Sequence, residues 1–172
     1  TSQIAEGTAC PPGAAPPMTE PAVVLLSGGL DSSVLLHYVA RTLGRAPLHA
    51  LSFRYGQKHS VELEMARRQA AAVPAVVEHM VLDIASFVEV AAGASTLVAG
   101  GGETPDLATL SEEERRQPPT YVPNRNMILL ALAAAAAEAR GAVEVYYGAQ
   151  AQDEYGYWDC TAEFLERINR LL

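Results

Sequence analysis

Seven consecutive residues, Ser27-Gly28-Gly29-Leu30-Asp31-Ser32-Ser33, carry the densest chemistry in this sequence of 172 residues. They follow the short apolar run Ala22 to Leu26 and precede Val34, Leu35, Tyr38, Val39, Thr42 and Leu43, which recur at helical spacing. Between a strand and a helix, paired glycines let the backbone approach an anion, and the helix's free N–H groups point at it. Ser32 and Ser33 add hydroxyl donors and Asp31 a carboxylate, so the chemistry expected is the gripping of a phosphate. A Walker loop would need a lysine beside Ser or Thr after its last glycine, and the dinucleotide fingerprint a third glycine; neither is present. The competing reading is an ordinary tight turn with Asp31 or Ser32 as the helix N-cap.

Such a loop needs elements to hold it, and their pattern is legible. Ala22 to Leu26 reads as a buried parallel strand, and Gly44 stops the helix that follows. A strand over Leu48 to Phe53, a helix from Ser60 to Ala72 and a strand over Val76 to Leu82 come next. An Ala-rich helix over Asn126 to Arg140 ends at Gly141, Val143 to Tyr147 forms a fourth strand, and Thr161 opens a last helix. Strands alternating with helices imply right-handed crossovers, hence an α/β domain with a mostly parallel, doubly wound sheet and helices on both faces. The stretch Ala91 to Pro123, with Gly100, Gly101, Gly102, several prolines and one helical fragment at Ser111 to Arg116, is expected to be a flap over the site. Residues 1 to 21 are proline-rich and poor in large apolar side chains, as in a disordered tail, which leaves residues 22–172 as one domain.

Composition narrows the function classes. A net charge of -8 argues against nucleic acid as the main partner. No apolar run reaches the roughly 18 residues of a membrane span, because the Ala-rich stretch is broken at Glu138 and Arg140. Cys10 and Cys160 are too few for a disulfide framework and lack metal-ligand spacing, which suits a reducing cytoplasm, and no secretory leader is visible.

The hexapeptide Ser27 to Ser32 resembles the SGGxDS loop of the ATP-pyrophosphatase (PP-loop) superfamily, whose members form adenylates and release pyrophosphate. Further motifs follow in order: Tyr55-Gly56-Gln57-Lys58-His59, Tyr121-Val122-Pro123-Asn124-Arg125-Asn126, and Asp153 with Gly156-Tyr157-Trp158-Asp159-Cys160 and Glu163-Phe164. Together they resemble the 7-cyano-7-deazaguanine synthase family of queuosine biosynthesis, over about Val23 to Asn169. The resemblance implies that 7-carboxy-7-deazaguanine and ammonia are converted, with two ATP and through an amide, to 7-cyano-7-deazaguanine. It also implies a homodimer and a binding segment Leu26 to Ser33 for ATP, with Mg²⁺ accompanying the phosphates and Asp31 as its carboxylate.

Within that resemblance, Ser27, Asp31, Lys58 and Arg125 are the candidate catalytic residues. The candidate substrate contacts are Tyr55, Gln57, Lys58, Arg125, Asn126, Asp153, Tyr157 and Asp159. Lys58 can neutralise developing charge, or it sits in a solvated turn. Arg125 and Asn126 open a helix just after the flap, where a guanidinium fork can reach phosphate or carboxylate; the alternative is Asn124 as N-cap with Arg125 exposed. Asp153 and Asp159 can accept N–H donors from a guanine-like ring, and Tyr157 or Trp158 can stack on it or simply pack under a loop. His59 and Glu62 could form an acid–base pair or cap the helix. His37, His49 and His79 fall within element patterns and read as structural; Cys160 is either a reactive thiol or, as free cysteines usually are, a packing residue. Departures are visible too. The family continues into a segment with a four-cysteine zinc cluster that Cys10 and Cys160 cannot supply, Thr161 stands where the family usually has arginine, and Trp158 where it often has proline.

Overall fold

The computed structural model describes residues 20–55, 60–90, 122–149 and 158–172. Four parallel strands form one sheet, β1 (Ala22–Leu25), β2 (Leu48–Arg54), β3 (Val76–Asp83) and β4 (Glu144–Tyr146), in the order β3-β2-β1-β4. Among the described residues the helices are α1 (Leu30–Arg41), α2 (Ser60–Ala72), α3 (Ala85–Val90), α4 (Arg125–Glu138) and α5 (Ala162–Leu171), with a short 3₁₀ turn at Trp158–Cys160. The doubly wound α/β architecture expected from the sequence is therefore present, and strand boundaries agree to within a residue or two. Helix α3 escapes the sequence reading because it is six residues long, too short for periodicity to register; its start is marked by Asp83, whose Oδ1 accepts from the Ala85 amide at 3.0 Å. The tail over residues 1–19 and most of the flap, with its fragment Ser111 to Arg116, lie outside the described residues.

Both faces of the sheet are covered, and the strand period of two decides which side chain goes where. Ala22, Val24 and Leu26 on the β1 segment, with Leu48 and Ala50 on β2, pack against Leu36 and Val39 of α1 and Ala66 and Ala70 of α2. The intervening Val23, Leu51 and Phe53 face the other way, against Ala133, Ala136 and Ala137 of α4. Small alanines on α4 bring the helix close to the strands. Its end is set by Gly141, whose φ of +64° is the left-handed conformation that closes a helix, with the Ala142 amide reaching back to the Ala137 carbonyl at 2.9 Å. Helix α5 adds Phe164 and Ile168 against Leu130. Between α4 and α5 runs an apolar groove of about 830 Å³, lined by Leu130, Ala134, Val143, Leu165, Ile168 and Leu172, and no residue of the phosphate loop borders it.

Two ion-pair clusters tie the chain across the sheet. Arg140 clamps Glu78 with Nε to Oε2 at 2.7 Å and Nη2 to Oε1 at 3.0 Å, and His49 Nδ1 lies 3.1 Å from the same Oε2. Arg45 pairs with Glu144 at 2.7 Å, while Tyr146 Oη donates to Glu144 Oε2 at 2.8 Å. The Arg140 fork holds the Glu78 carboxyl down at about 2, against an ordinary value of 4.5. A depressed carboxylate stabilises the fold above its unfolded pKa, and that contribution is lost as pH falls from about 4.5 towards about 2. Because the Glu78 side chain is 42% exposed, water screens the pair and the effect is modest. Urea unfolding at neutral pH and at about pH 3 should show the unsubstituted chain losing more stability than Glu78→Gln; equal losses would contradict this assignment.

Candidate functional site

In an open parallel sheet, ligands sit at the carboxyl edge, at the point where successive connections leave towards opposite faces. Here that point lies between the neighbours β1 and β4: the chain leaves β1 into α1 on one face, and reaches β4 from α4 on the other. Ser27 to Ser33 occupies this edge. On its other side comes the segment after β4, where a β-carbon built on Gly148 would meet the Ser32 amide nitrogen at 3.5 Å and Asp31 Cβ at 3.7 Å.

Inside the loop the hydroxyl groups satisfy one another. Ser32 Oγ donates to the Gly29 carbonyl at 3.1 Å and accepts from the Gly28 amide at 3.2 Å. Its one proton being spent, the 3.0 Å contact with Ser27 Oγ requires Ser27 to donate, and Ser27 Oγ in turn accepts from the Gly29 amide at 3.3 Å. Ser33 Oγ also donates to the Gly29 carbonyl, at 2.8 Å. The sequence reading offered Ser32 and Ser33 as hydroxyl donors to an anion, whereas in this structure their protons hold the loop's shape. Gly29 takes the N-cap position of α1 with no side-chain cap, so neither Asp31 nor Ser32 is the cap of an ordinary turn. Among the described residues the amides of Leu30, Asp31 and Ser32 have no partner. Such amides at the start of a twelve-residue helix offer donors and a positive dipole end of the kind that suits an anion. The Asp31 carboxylate is exposed beside them, also without a partner among the described residues.

Gly28 is the loop's tightest point. Its φ is +91°, and an added β-carbon would lie 1.9 Å from the Glu62 carbonyl oxygen and 2.8 Å from the Ala66 nitrogen of α2. The loop thus rests directly on the backbone of α2. Gly29 is different: among the described residues a β-carbon there would meet only Ser27 Oγ, at 3.4 Å. Leu26, counted with the nucleotide-binding segment in the sequence, has its side chain 1% exposed in the core, its amide bonded to the Leu51 carbonyl at 2.8 Å and its carbonyl held by Ser52. Leu30 projects outward, 78% exposed, and only its amide faces the cradle's task.

Ser52 and His79, which the sequence reading did not connect to the loop, anchor it from behind. Ser52 Oγ, buried on β2, donates to the Leu26 carbonyl at 2.5 Å and lies 2.8 Å from His79 Nε2. With its proton used, Ser52 must accept from His79, which fixes the Nε2–H tautomer by counting donors. Burial, with a smaller push from Arg67, lowers the His79 pKa and keeps the ring neutral. A serine inside the otherwise apolar, buried run Ala50 to Phe53 was the available signal. Ser52→Ala leaves the Leu26 carbonyl and the His79 donor unmet and should cost about 1–3 kcal/mol by urea unfolding; a change below about 0.5 kcal/mol would show the pair to be idle.

The remaining candidates divide. Helix α4 leads into β4, which runs parallel to β1, so the start of α4 lies at the same edge as the loop. This brings Arg125 and Asn126 there. Arg125 opens the helix half-buried, its guanidinium unpartnered among the described residues. Asn124 holds the N-cap position with φ +54° and no side-chain cap, so the alternative of a capping Asn124 is not what the structure shows. The bond to this helix end comes instead from Asp159: its Oδ2 accepts from the Asn126 amide at 3.1 Å, and Asn126 Nδ2 donates to the Asp159 carbonyl at 3.2 Å and to Cys160 Sγ at 3.4 Å. Asp159 is 3% exposed. Trp158 packs edge-on against Phe164, ring centres 5.1 Å apart, and Thr161 caps α5 by accepting from the Phe164 amide at 3.1 Å. Tyr55 is half-buried against the α4 side of the core. Gln57, Lys58, His59, Asp153 and Tyr157 lie outside the described residues, so the His59–Glu62 pair does too. His37 Nε2 contacts Gln69 Oε1 at 3.0 Å and His49 joins the Glu78 cluster, both within the scaffold. Among the described residues no group of three or more His, Cys, Asp or Glu side chains could hold a metal ion, and no helix is long and apolar enough to cross a membrane.

A parallel sheet with a Ser-Gly-Gly-x-Asp-Ser cradle at its switch point defines a PP-loop α/β domain. Comparison with known families is more specific: residues 21–172 match the family model described as "Queuosine biosynthesis protein QueC", and the chain belongs to that family. It is 46% identical over 151 residues to the 7-cyano-7-deazaguanine synthase of Magnetococcus marinus, an alignment covering 87% of this chain and 61% of the relative. The synthase of the same name from Archaeoglobus fulgidus is 46% identical over 149 residues, 86% of this chain and 58% of the relative. That of Frankia casuarinae is 49% identical over 144 residues, covering 84% and 57%. The chain thus spans about three-fifths of the length of these curated relatives.

Proposed function

We propose that this chain is the nucleotide-binding domain of an ATP-dependent carbon–nitrogen ligase that converts 7-carboxy-7-deazaguanine and ammonia to 7-cyano-7-deazaguanine in queuosine biosynthesis. The single observation that carries the ATP-binding role is the set of amides at Leu30, Asp31 and Ser32, unpartnered among the described residues and held at the sheet's switch point in a chain whose relatives bear that synthase name. The reaction has a clear need for it. A carboxylate oxygen is a poor leaving group, so transfer to AMP with loss of pyrophosphate lets ammonia displace it and form the amide. A second adenylation, on the amide oxygen, lets the nitrile form as AMP departs. Gripping the departing pyrophosphate is the work assigned to Ser27 through Ser33, and the Arg125 guanidinium, unpartnered among the described residues, adds charge at the same edge.

Mg²⁺ fits the residues present: the exposed Asp31 carboxylate stands beside the amides that would face the phosphates, and this ion usually binds through phosphates and one or two carboxylates. The two cysteines of this sequence cannot by themselves form a four-thiolate zinc site, and Cys160 is engaged by Asn126. Gln57, Lys58, Asp153 and Tyr157 belong to the substrate side of this reading, as do a homodimeric state and a cytoplasmic setting. Trp158 and Thr161, where the sequence departs from the family's usual residues, have structural work here as a packing surface and a helix cap. The test is pyrophosphate release by the purified protein with MgATP, ammonium and 7-carboxy-7-deazaguanine, with mass spectrometry of the product. Substrate-dependent pyrophosphate and a nitrile mass are expected. Nucleotide binding without substrate-dependent release would reduce the chain to a binding module, and an amide or protein adduct as end product would place it in another deazapurine pathway.

A further inference from the structure

Helix α4 lacks a cap of its own, and the missing bond comes from a carboxylate 33 residues further along the chain. Asn124 is turned into the left-handed region at φ +54°, where its side chain makes no capping bond. Asp159 fills the role from the 3₁₀ turn, with Oδ2 on the Asn126 amide, while the Asn126 side chain returns a hydrogen bond to the Asp159 carbonyl and another to Cys160 Sγ. The exchange is reciprocal, as in a capping box, but it joins segments on either side of β4. Asp159 is 3% exposed, so its carboxylate meets an amide dipole and a helix N-terminus rather than water. The turn that carries it is fixed in its own right by the Thr161 cap and the Trp158–Phe164 contact.

We infer that Asp159 is a positioning residue: it fixes the first turn of α4 and thereby aims Arg125, whose guanidinium is free among the described residues, at the reacting groups. This rests on the proposed ligase reading and deepens it, replacing a direct contact of Asp159 with the substrate ring by a structural link between the two motifs. Loss of the link lets the start of α4 fray and Arg125 wander, and a displacement of about 1 Å can cost on the order of a hundredfold in rate.

The test is a double-mutant cycle on pyrophosphate release together with amide hydrogen exchange. Asp159→Ala should lower kcat/KM by about ten- to a hundredfold and speed exchange at the Asn126 amide. Asp159→Asn keeps an acceptor oxygen, and Asn and Asp cap nearly equally well, so it should remain within about threefold of the unsubstituted protein. In an Arg125→Ala background, Asp159→Ala should cost less than about threefold more, because Arg125 has already lost its task. Should Asp159→Ala not fold, Asp159→Leu, which has nearly the same shape but no acceptor for the Asn126 amide, takes its place with the same expected losses. Multiplicative losses in the cycle, an Asn variant as damaged as the Ala variant, or unchanged exchange at Asn126 would each overturn the inference. Absence of any substrate-dependent release from the unsubstituted protein would overturn the ligase reading instead, while the exchange measurement would still decide whether Asp159 caps α4.

Discussion

Gly28→Ala should remove nucleotide binding and lower the stability of the whole domain by about 3 kcal/mol or more. Left-handed backbone costs a residue with a β-carbon about 1–2 kcal/mol, and the same carbon would be driven to 1.9 Å from the Glu62 carbonyl oxygen. Forcing extra atoms into a packed contact typically costs a further 1–3 kcal/mol or so, here against a helix backbone that cannot step aside as a side chain can. Gly29→Ala is the internal control, because among the described residues its β-carbon meets only Ser27 Oγ at 3.4 Å. Thermal or urea unfolding should show a large loss at position 28 and a small one at 29. Should both variants unfold alike, the close approach of loop and α2 is not what sets the loop's shape. Should Gly29→Ala keep its stability yet lose nucleotide affinity, the ligand itself comes within reach of that position.

Asp31→Ala should do the opposite: leave the fold intact and abolish turnover. The carboxylate is exposed and makes no hydrogen bond or ion pair among the described residues, so its loss should change stability by no more than about 0.5 kcal/mol. Activity is another matter, because on the proposed reading this carboxylate, beside amides that have no partner among the described residues, would hold Mg²⁺ on the phosphates. Removing one preorganised electrostatic partner of a transferring group costs on the order of a hundred- to a thousandfold in kcat. Pyrophosphate release measured over a range of Mg²⁺ concentrations checks this. A loss of that size, partly recovered at high Mg²⁺, supports the assignment; unchanged turnover at every concentration refutes it.

The contrast between these two positions shows what the sequence could and could not say. Alternation of strand and helix patterns was enough for the sheet, because Ala22, Val23, Val24 and Leu26 are apolar on both faces, as only a strand covered on both sides needs to be. The loop was legible as well, since two glycines and three serines around a strand-to-helix turn have few other uses. The partnerships inside it were hidden. Nothing local tells whether Ser32 gives its proton to an anion or to the Gly29 carbonyl, and the structure gives it to the carbonyl. Long-range pairs were equally hidden: Ser52 with Leu26 spans 26 residues, and Asn126 with Asp159 spans 33. Asp159 and Asn126 were both picked out as chemically interesting, but their bond to each other follows from how α4 and the 3₁₀ turn meet, which no spacing rule encodes.

Whether the amides at the start of α1 receive an anion is the claim beneath all the rest. The direct measurement is amide NMR of the nitrogen-labelled protein titrated with Mg²⁺ and α,β-methylene-ATP, an analogue that cannot release pyrophosphate. The signals of Leu30, Asp31 and Ser32 should move most and saturate together with those of Gly28 and Gly29. Saturable binding that leaves those amides unmoved, or no binding at all, would contradict the claim.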